Sequence, residues 1–210
     1  HNDKNSNIGI VCPQVIDKRR IYSVAEQNNR EVYVDFCITS AACTSVEAWE
    51  KCGKFDEWLF IDLVDNDFCK RLTLSGYKIL KLNQWVLDQE FGKIIPKSKQ
   101  KQEFWLKVGK LLHNQNFAKF SYKKFVSPLR VYYTNRNIIY VNKKLKKYGS
   151  VGYENYNCKG YIGFIISFMI PSILRAGKKI DVLKATVKGV KDGMAATPNE
   201  RSVKEKNMVE

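Results

Sequence analysis

Along its first 92 residues the chain keeps changing hydrophobic period, which confines it to folds that interleave strands with helices. IGIVCPQV (Ile8–Val15) is a short apolar run stopped by Pro13, the pattern of a buried strand. EVYVDFCITS alternates around Tyr33, Asp35 and Cys37 and predicts a second strand. In TSVEAWEKCGKFDE the period lengthens: Thr44 or Ser45 caps a helix, Glu47 or Glu50 sits near its start, and Gly53 ends it. WLFIDL predicts a further strand, DNDFCKRLTLSG a helix capped by Asp65 or Asn66 and closed by Gly76, and YKILKLNQWVL a strand again. Strands alternating with short helices predict an α/β domain.

After Gly92 the texture changes. KQEFWLKVGKLLHN and SPLRVYYTNRNIIYVNKKLKKYG are amphipathic helical patterns, with Ser127-Pro128 as a start signal and Gly149 as a stop. The charge changes with it. Of the net +15 on 210 residues, residues 1–92 contribute −3, residues 93–148 carry 15 basic groups against Glu103 alone, and residues 149–210 contribute +4. A +14 block seeks an anionic partner: a membrane surface, nucleic acid or a phosphorylated ligand. The block holds no recognisable nucleic-acid motif. YIGFIISFMIPSIL (Tyr161–Leu174) spans about 21 Å as a helix, short of the ~30 Å bilayer core, and Pro171 interrupts it. It reads either as a buried core helix or as one lying in a membrane interface, with Arg175, Lys178 and Lys179 toward anionic headgroups. Four regions result: 1–92, the basic amphipathic helices of 93–148, the apolar and basic membrane-proximal helices of 149–195, and a flexible polar tail over 196–210.

The residues available for chemistry are few. Six cysteines form no CxxC pair and fall partly inside apolar runs, which predicts reduced thiols in a cytosolic protein. With His1 and His113 the only imidazoles, a His-rich zinc site and a Ser-His-Asp triad are nearly excluded. Carboxylates remain, and Asp56, Glu57, Asp62, Asp65 and Asp67 crowd twelve residues beside Trp58, Leu59, Phe60 and Ile61. Asp62 is expected near a strand end, Asp65 at the turn and Asp67 in the first turn of the next helix, a junction where α/β sheets place their chemistry. Apolar surroundings and like charges raise proton affinity, suiting one of the three to act as a general base. Asp65-Asn66-Asp67 also offers hard oxygens to a divalent cation such as Mg or Mn. The structural alternative is Asp65 as N-cap and Asp67 as a complement to the helix dipole.

The order of these elements resembles the family-2 nucleotide-sugar glycosyltransferases, in particular their rhamnosyltransferase-like branch. The residues that carry the resemblance are Gly53-Lys54-Phe55-Asp56-Glu57, Phe60-Ile61-Asp62, Val64-Asp65-Asn66-Asp67, Arg71, and, some sixty residues on, Arg130-Val131-Tyr132-Tyr133-Thr134-Asn135-Arg136-Asn137. It covers roughly residues 8–148 and implies part of a GT-A, Rossmann-like fold with a basic helical C-terminal extension. The implied reaction is an inverting transfer of rhamnose or a similar deoxysugar, from a nucleoside-diphosphate donor to a hydroxyl of a growing cell-surface polysaccharide. By the same resemblance Asp65 is the base, with Asp62 and Asp67 as rivals. Ser40, Glu57, Trp58, Arg71, Arg130 and Arg136 are then candidates to bind acceptor or donor.

The chain also departs from that family. Its metal-binding Asp-x-Asp and nucleotide-binding strands lie upstream of the matched region, so 1–92 is expected to be the acceptor-side half of an incomplete enzyme, whether truncated, split from a separate N-terminal half or part of a longer chain, and inactive alone. Where many relatives have a His, this chain has Gln89, with Asp88 as a substitute metal ligand. Such enzymes work on lipid-linked glycans, which implies a cytoplasmic protein peripheral to the inner membrane face. Arg130 and Arg136 read either as internal salt-bridge partners of the acidic half or as diphosphate contacts. The competing reading is a non-catalytic basic module that binds anionic membrane or nucleic acid, with purely structural acids.

Overall fold

A computed structural model describes residues 7–20, 25 and 29–198. Helices and a mixed sheet alternate as the α/β pattern requires. Strands β1 (Ile8–Ile16), β2 (Glu31–Val34), β3 (Cys43–Thr44) and β4 (Lys78–Asp88) form one sheet in the order β2-β4-β1-β3. β1 and β4 run parallel, and β2 and β3 are antiparallel to their neighbours. Pro13 does not end β1. It marks a slip in register, Pro13 opposite Leu82 but Gln14 opposite Val86, and the Gln14 amide donates to the Asn83 carbonyl across the bulge (2.7 Å). The strand expected over EVYVDFCITS stops at Val34, leaving Cys37 and Thr39 on an irregular segment.

Helix α1 (Val46–Lys51) starts where Ser45 accepts from the Ala48 N–H, and Gly53 follows its end at φ 79°. Helix α2 (Val64–Leu74) begins two to three residues earlier than predicted. Its N-cap is Leu63 in the left-handed region, so neither Asp65 nor Asn66 caps it. α1 and α2 cover one face of the sheet, enclosing Ile10, Cys12, Ala48, Phe68, Leu72 and Ile79. The strand expected over WLFIDL does not form. Glu57–Leu59 is a single 3-10 turn, followed by left-handed backbone at Phe60, Asp62 and Leu63.

β5 (Ile94–Pro96) and β6 (Tyr122–Lys124) pair as a small ribbon around α3 (Lys99–Leu111), a feature no sequence pattern announced. α4 (Pro128–Lys144) starts at Ser127-Pro128 as read, and Gly149 lies beyond its end at φ 92°. A second core joins Leu59 and Leu63 to Ile138, Val141 and Leu145 of the α4 region and to Phe164. Residues 160–175 are one helical run: α5 (Gly160–Phe164), a π-helical turn (Ile165–Met169) and α6 (Ile170–Arg175). Pro171 therefore does not break the helix, and the wider π turn just before it accommodates the missing N–H.

α7 (Lys179–Ala195) packs along α4 through small residues. A Cβ on Gly193 would lie 2.6 Å from the Arg136 carbonyl oxygen, so only glycine permits this approach. Of the tail expected to be loose, Ala196 is held: its N–H reaches the Asp192 carbonyl (3.0 Å) and its own carbonyl accepts from Lys143 (2.6 Å). Residues 199–210 lie outside the described residues.

Candidate functional site

The two sequence motifs that lie some sixty residues apart meet in space. Residues 56–63 form a turn with unusual backbone geometry. Phe60 has φ 58° and ψ −61°, and the Ile61 N–H bonds the Leu59 carbonyl across it (2.7 Å), a γ-turn of the rare, strained hand. Asp62 (φ 62°) and Leu63 (φ 65°) add two further left-handed residues. Each costs of order 1–3 kcal/mol, so other contacts must hold the turn.

α4 holds it. The Asn137 side chain is fully buried, and its amide nitrogen lies within bonding distance of three turn carbonyls: Leu59 (2.8 Å), Ile61 (2.8 Å) and Asp62 (2.9 Å). Arg136 donates to the carbonyls of Trp58 and Leu59, and its guanidinium lies 3.7 Å from the centre of the Trp58 ring. Trp58 in turn stacks on Tyr140 at 4.1 Å. Arg130 grips Asp62 through Nη2 (2.8 Å) and Nε (3.1 Å), while the Thr134 hydroxyl donates to the same carboxylate (3.0 Å). The Tyr156 phenol stands beside this pair; burial and then the Asp62 charge push its pKa well up.

Asp67 is fully buried and paired twice. Arg71 reaches it at 2.8 Å and Lys144, also buried, at 3.0 Å. Lys144 bridges onward to Asp56 (2.6 Å), whose carboxylate also accepts from the Tyr140 hydroxyl (3.0 Å) and the Trp58 N–H (3.1 Å). Burial pushes the Asp56 pKa up, but Lys144 and these donors outweigh it and leave it lowered. Arg71 spends its remaining donors on the carbonyls of Cys52 and Lys54 (2.7 Å to Lys54), fixing the segment after α1. These roles differ from those expected for Asp67 and Arg71: both side chains are buried and ion-paired within the fold.

Asp65 differs. It lies in the first turn of α2, half-buried, and accepts a 2.7 Å hydrogen bond from the Thr39 hydroxyl. Among the described residues it forms no ion pair. Burial pushes its pKa up; the Thr39 bonds oppose this, and the nearby Asp62 charge adds to it. Asp65 thus combines raised proton affinity with an uncompensated charge. Ser40 sits in the turn next to Thr39, and Glu57 is exposed at the start of the 3-10 turn. Arg130 pairs with an acid of the front half, as the internal alternative has it, whereas Arg136 binds backbone carbonyls and the Trp58 ring and no acid among the described residues.

Asp88, the expected substitute metal ligand, is engaged within the fold. It ends β4 opposite Ile16, pairs with Lys18 (3.3 Å), and accepts from the Lys18 N–H (3.2 Å). Among the described residues, no three or more His, Cys, Asp or Glu side chains stand together as a metal cage. Cys12, Cys37 and Cys69 cluster in the first core with Cys37 Sγ 4.0 Å from Cys69 Sγ, and their neighbouring sulfurs followed by burial push the Cys37 thiol up.

The sequence reading missed Thr39, Thr134, Asn137 and Lys144 as working residues. Thr134 and Asn137 were in view, since both belong to the Arg130–Asn137 motif. Thr39 and Lys144 carried no signal of their own. Comparison with family models, with curated proteins and with solved structures finds no match in any of the three.

Proposed function

We propose that the chain is part of an inverting glycosyltransferase with a GT-A-like core, in which Asp65 is the general base. Its donor would be a nucleoside-diphosphate sugar, of rhamnose or a similar deoxysugar, and its acceptor a glycan hydroxyl. Asp65 takes the proton from that hydroxyl, the freed oxygen forms its bond to the anomeric carbon, and the nucleoside diphosphate leaves from the opposite face with the bonding pair. The observation that carries the reading is the sorting of the three acids. Asp62 and Asp67 are each neutralised by a cation, whereas Asp65 keeps its charge uncompensated in a setting that raises its proton affinity. The strained turn beside it, fixed by four side chains of α4, supports the reading as a rigid mount for a reacting group.

The test is nucleoside-diphosphate release from a panel of sugar nucleotides by the chain combined with the expected N-terminal half, in the presence of a lipid-linked glycan acceptor. Asp65→Asn should lower turnover about 10²–10⁴-fold while the fold persists, because the amide oxygen can still accept from Thr39. A variant that keeps more than about a tenth of wild-type turnover removes Asp65 from the chemistry. A second reading, a non-catalytic basic module, draws on the fact that Asp56, Asp62 and Asp67 all serve the fold. It predicts no turnover with any sugar nucleotide.

A further inference from the structure

The run 160–175 and α7 leave a broad apolar surface uncovered. Ile162, Ile166, Ile170 and Leu174 recur at four-residue intervals and are 75, 63, 47 and 66 % exposed. On a regular helix such a stripe drifts around the axis, but the intervening π turn underwinds the run and offsets the drift. On α7, Ile180, Leu183, Val187, Val190 and Met194 recur at three- and four-residue intervals, all exposed except the half-buried Val190. The adjoining face of α7, with Val182, Thr186, Gly189 and Gly193, is the one that is buried. Beside the α7 stripe runs a groove of about 710 Å³, walled by Met169 on one side and by Thr186, Val187, Val190, Lys191 and Met194 on the other.

We propose that this surface docks in the plane of an anionic bilayer, at the headgroup–acyl boundary, without crossing it. Charge complementarity selects the partner. Residues 160–198 carry six basic groups against Asp181 and Asp192, and Asp192 is engaged by the Tyr132 hydroxyl (2.8 Å). By helical spacing, Lys184 and Lys191 follow the α7 stripe along one flank, so their ammonium groups can reach headgroups while their stems lie on apolar surface; Lys188 lies instead over the Tyr132 ring (5.5 Å). A second copy is disfavoured, because it would set lysine rim against lysine rim on a chain of net charge +15.

A span is disfavoured by geometry. Within Tyr153–Arg175 an 18-residue stretch has the composition of a crossing segment, with mean hydropathy 1.3 and 11 % of it buried. Yet the unbroken helix is only residues 160–175, roughly 24 Å against the ~30 Å of a bilayer core. One side of it is committed to protein, through Phe164, Ser172 and Phe168. Docking would also orient the candidate site. Arg136 meets α7 at Gly193 with its carbonyl and lies on Trp58 with its guanidinium, so the turn is mounted on the docked helix through one α4 residue.

The experiment is sedimentation of the full chain with vesicles of phosphatidylcholine, with or without about 30 % phosphatidylglycerol. It needs no sugar nucleotide, so its outcome is separate from that of the transfer assay. Binding should require the anionic lipid and weaken as salt rises. Ile162→Asp/Ile166→Asp/Leu174→Asp and Lys184→Glu/Lys191→Glu change only exposed side chains. Each should keep the wild-type circular dichroism and lose at least about tenfold in partitioning. Equal binding to neutral vesicles, or variants that bind like wild type, overturns the proposal. So does resistance to extraction by high salt and alkaline carbonate, which would mean a span. A wild-type dimer that the Asp variants dissociate, with no vesicle binding, would assign the surface to a second copy and overturn it as well.

Discussion

Lys144→Met should destabilise the protein severely, and the structure fixes why. The Lys144 ammonium is fully buried between two carboxylates, 2.6 Å from Asp56 and 3.0 Å from Asp67. Methionine fills the same space without the charge. Asp67 would keep Arg71, but Asp56 would keep only neutral donors, Tyr140 and the Trp58 N–H. Breaking a buried ion pair on one side costs about 3–5 kcal/mol. For a chain of this size that is a fall in Tm of roughly 6–20 °C.

The sign of the pH dependence follows from Asp56. Its folded pKa is lowered, so its ionisation stabilises the fold above the ordinary value of 3.8, and that contribution is lost as pH falls through the folded pKa. The gap between wild type and variant is therefore widest at neutral pH and narrows below 3.8. Urea unfolding followed by circular dichroism measures it. Lys144→Met/Asp56→Asn removes the stranded charge and should recover at least about 1 kcal/mol relative to additivity. A single variant within about 1 kcal/mol of wild type, or two effects that simply add, would refute the network as the element that holds this region together.

Asn137→Ala withdraws the donor from the carbonyls of Leu59, Ile61 and Asp62. Arg136 still serves Leu59, so two carbonyls lose this donor, at about 2–6 kcal/mol. The urea midpoint should drop accordingly and Trp58 fluorescence should change; a midpoint equivalent to less than about 0.5 kcal/mol of loss contradicts the clamp. Asp65→Asn should do the reverse of an ordinary acid replacement. With its folded pKa raised by burial, ionised Asp65 costs stability once pH rises past 3.8, so the variant should match or exceed wild type at neutral pH, with the benefit fading below 3.8. A clear loss of stability at pH 7 would give Asp65 a structural role.

The legible parts of this fold were the local ones. Ser45 and Ser127-Pro128 start helices, and Gly53, Gly76 and Gly149 take the positive φ that follows helix ends, because these devices act within one turn of chain. β1 and β4 were readable as apolar runs. WLFIDL was not, since the same run suits a strand or a turn that sends Leu59 and Leu63 into a core while leaving Phe60 and Ile61 outside. What decides between them is Asn137, far along the chain. Pro171 misled in a similar way: its missing N–H is accommodated by a π turn that no residue pattern declared.

Sequence alone determined the kinds of element, most of their limits, the crowding of acids before α2 and the basic surface of the second half. All of these depend on residue spacing and composition. Tertiary structure alone decided which acid kept its charge uncompensated. Ionisation depends on which cation lies within a few ångströms, and Arg130 and Lys144 reach Asp62 and Asp67 from a helix more than sixty residues away while leaving Asp65 to Thr39.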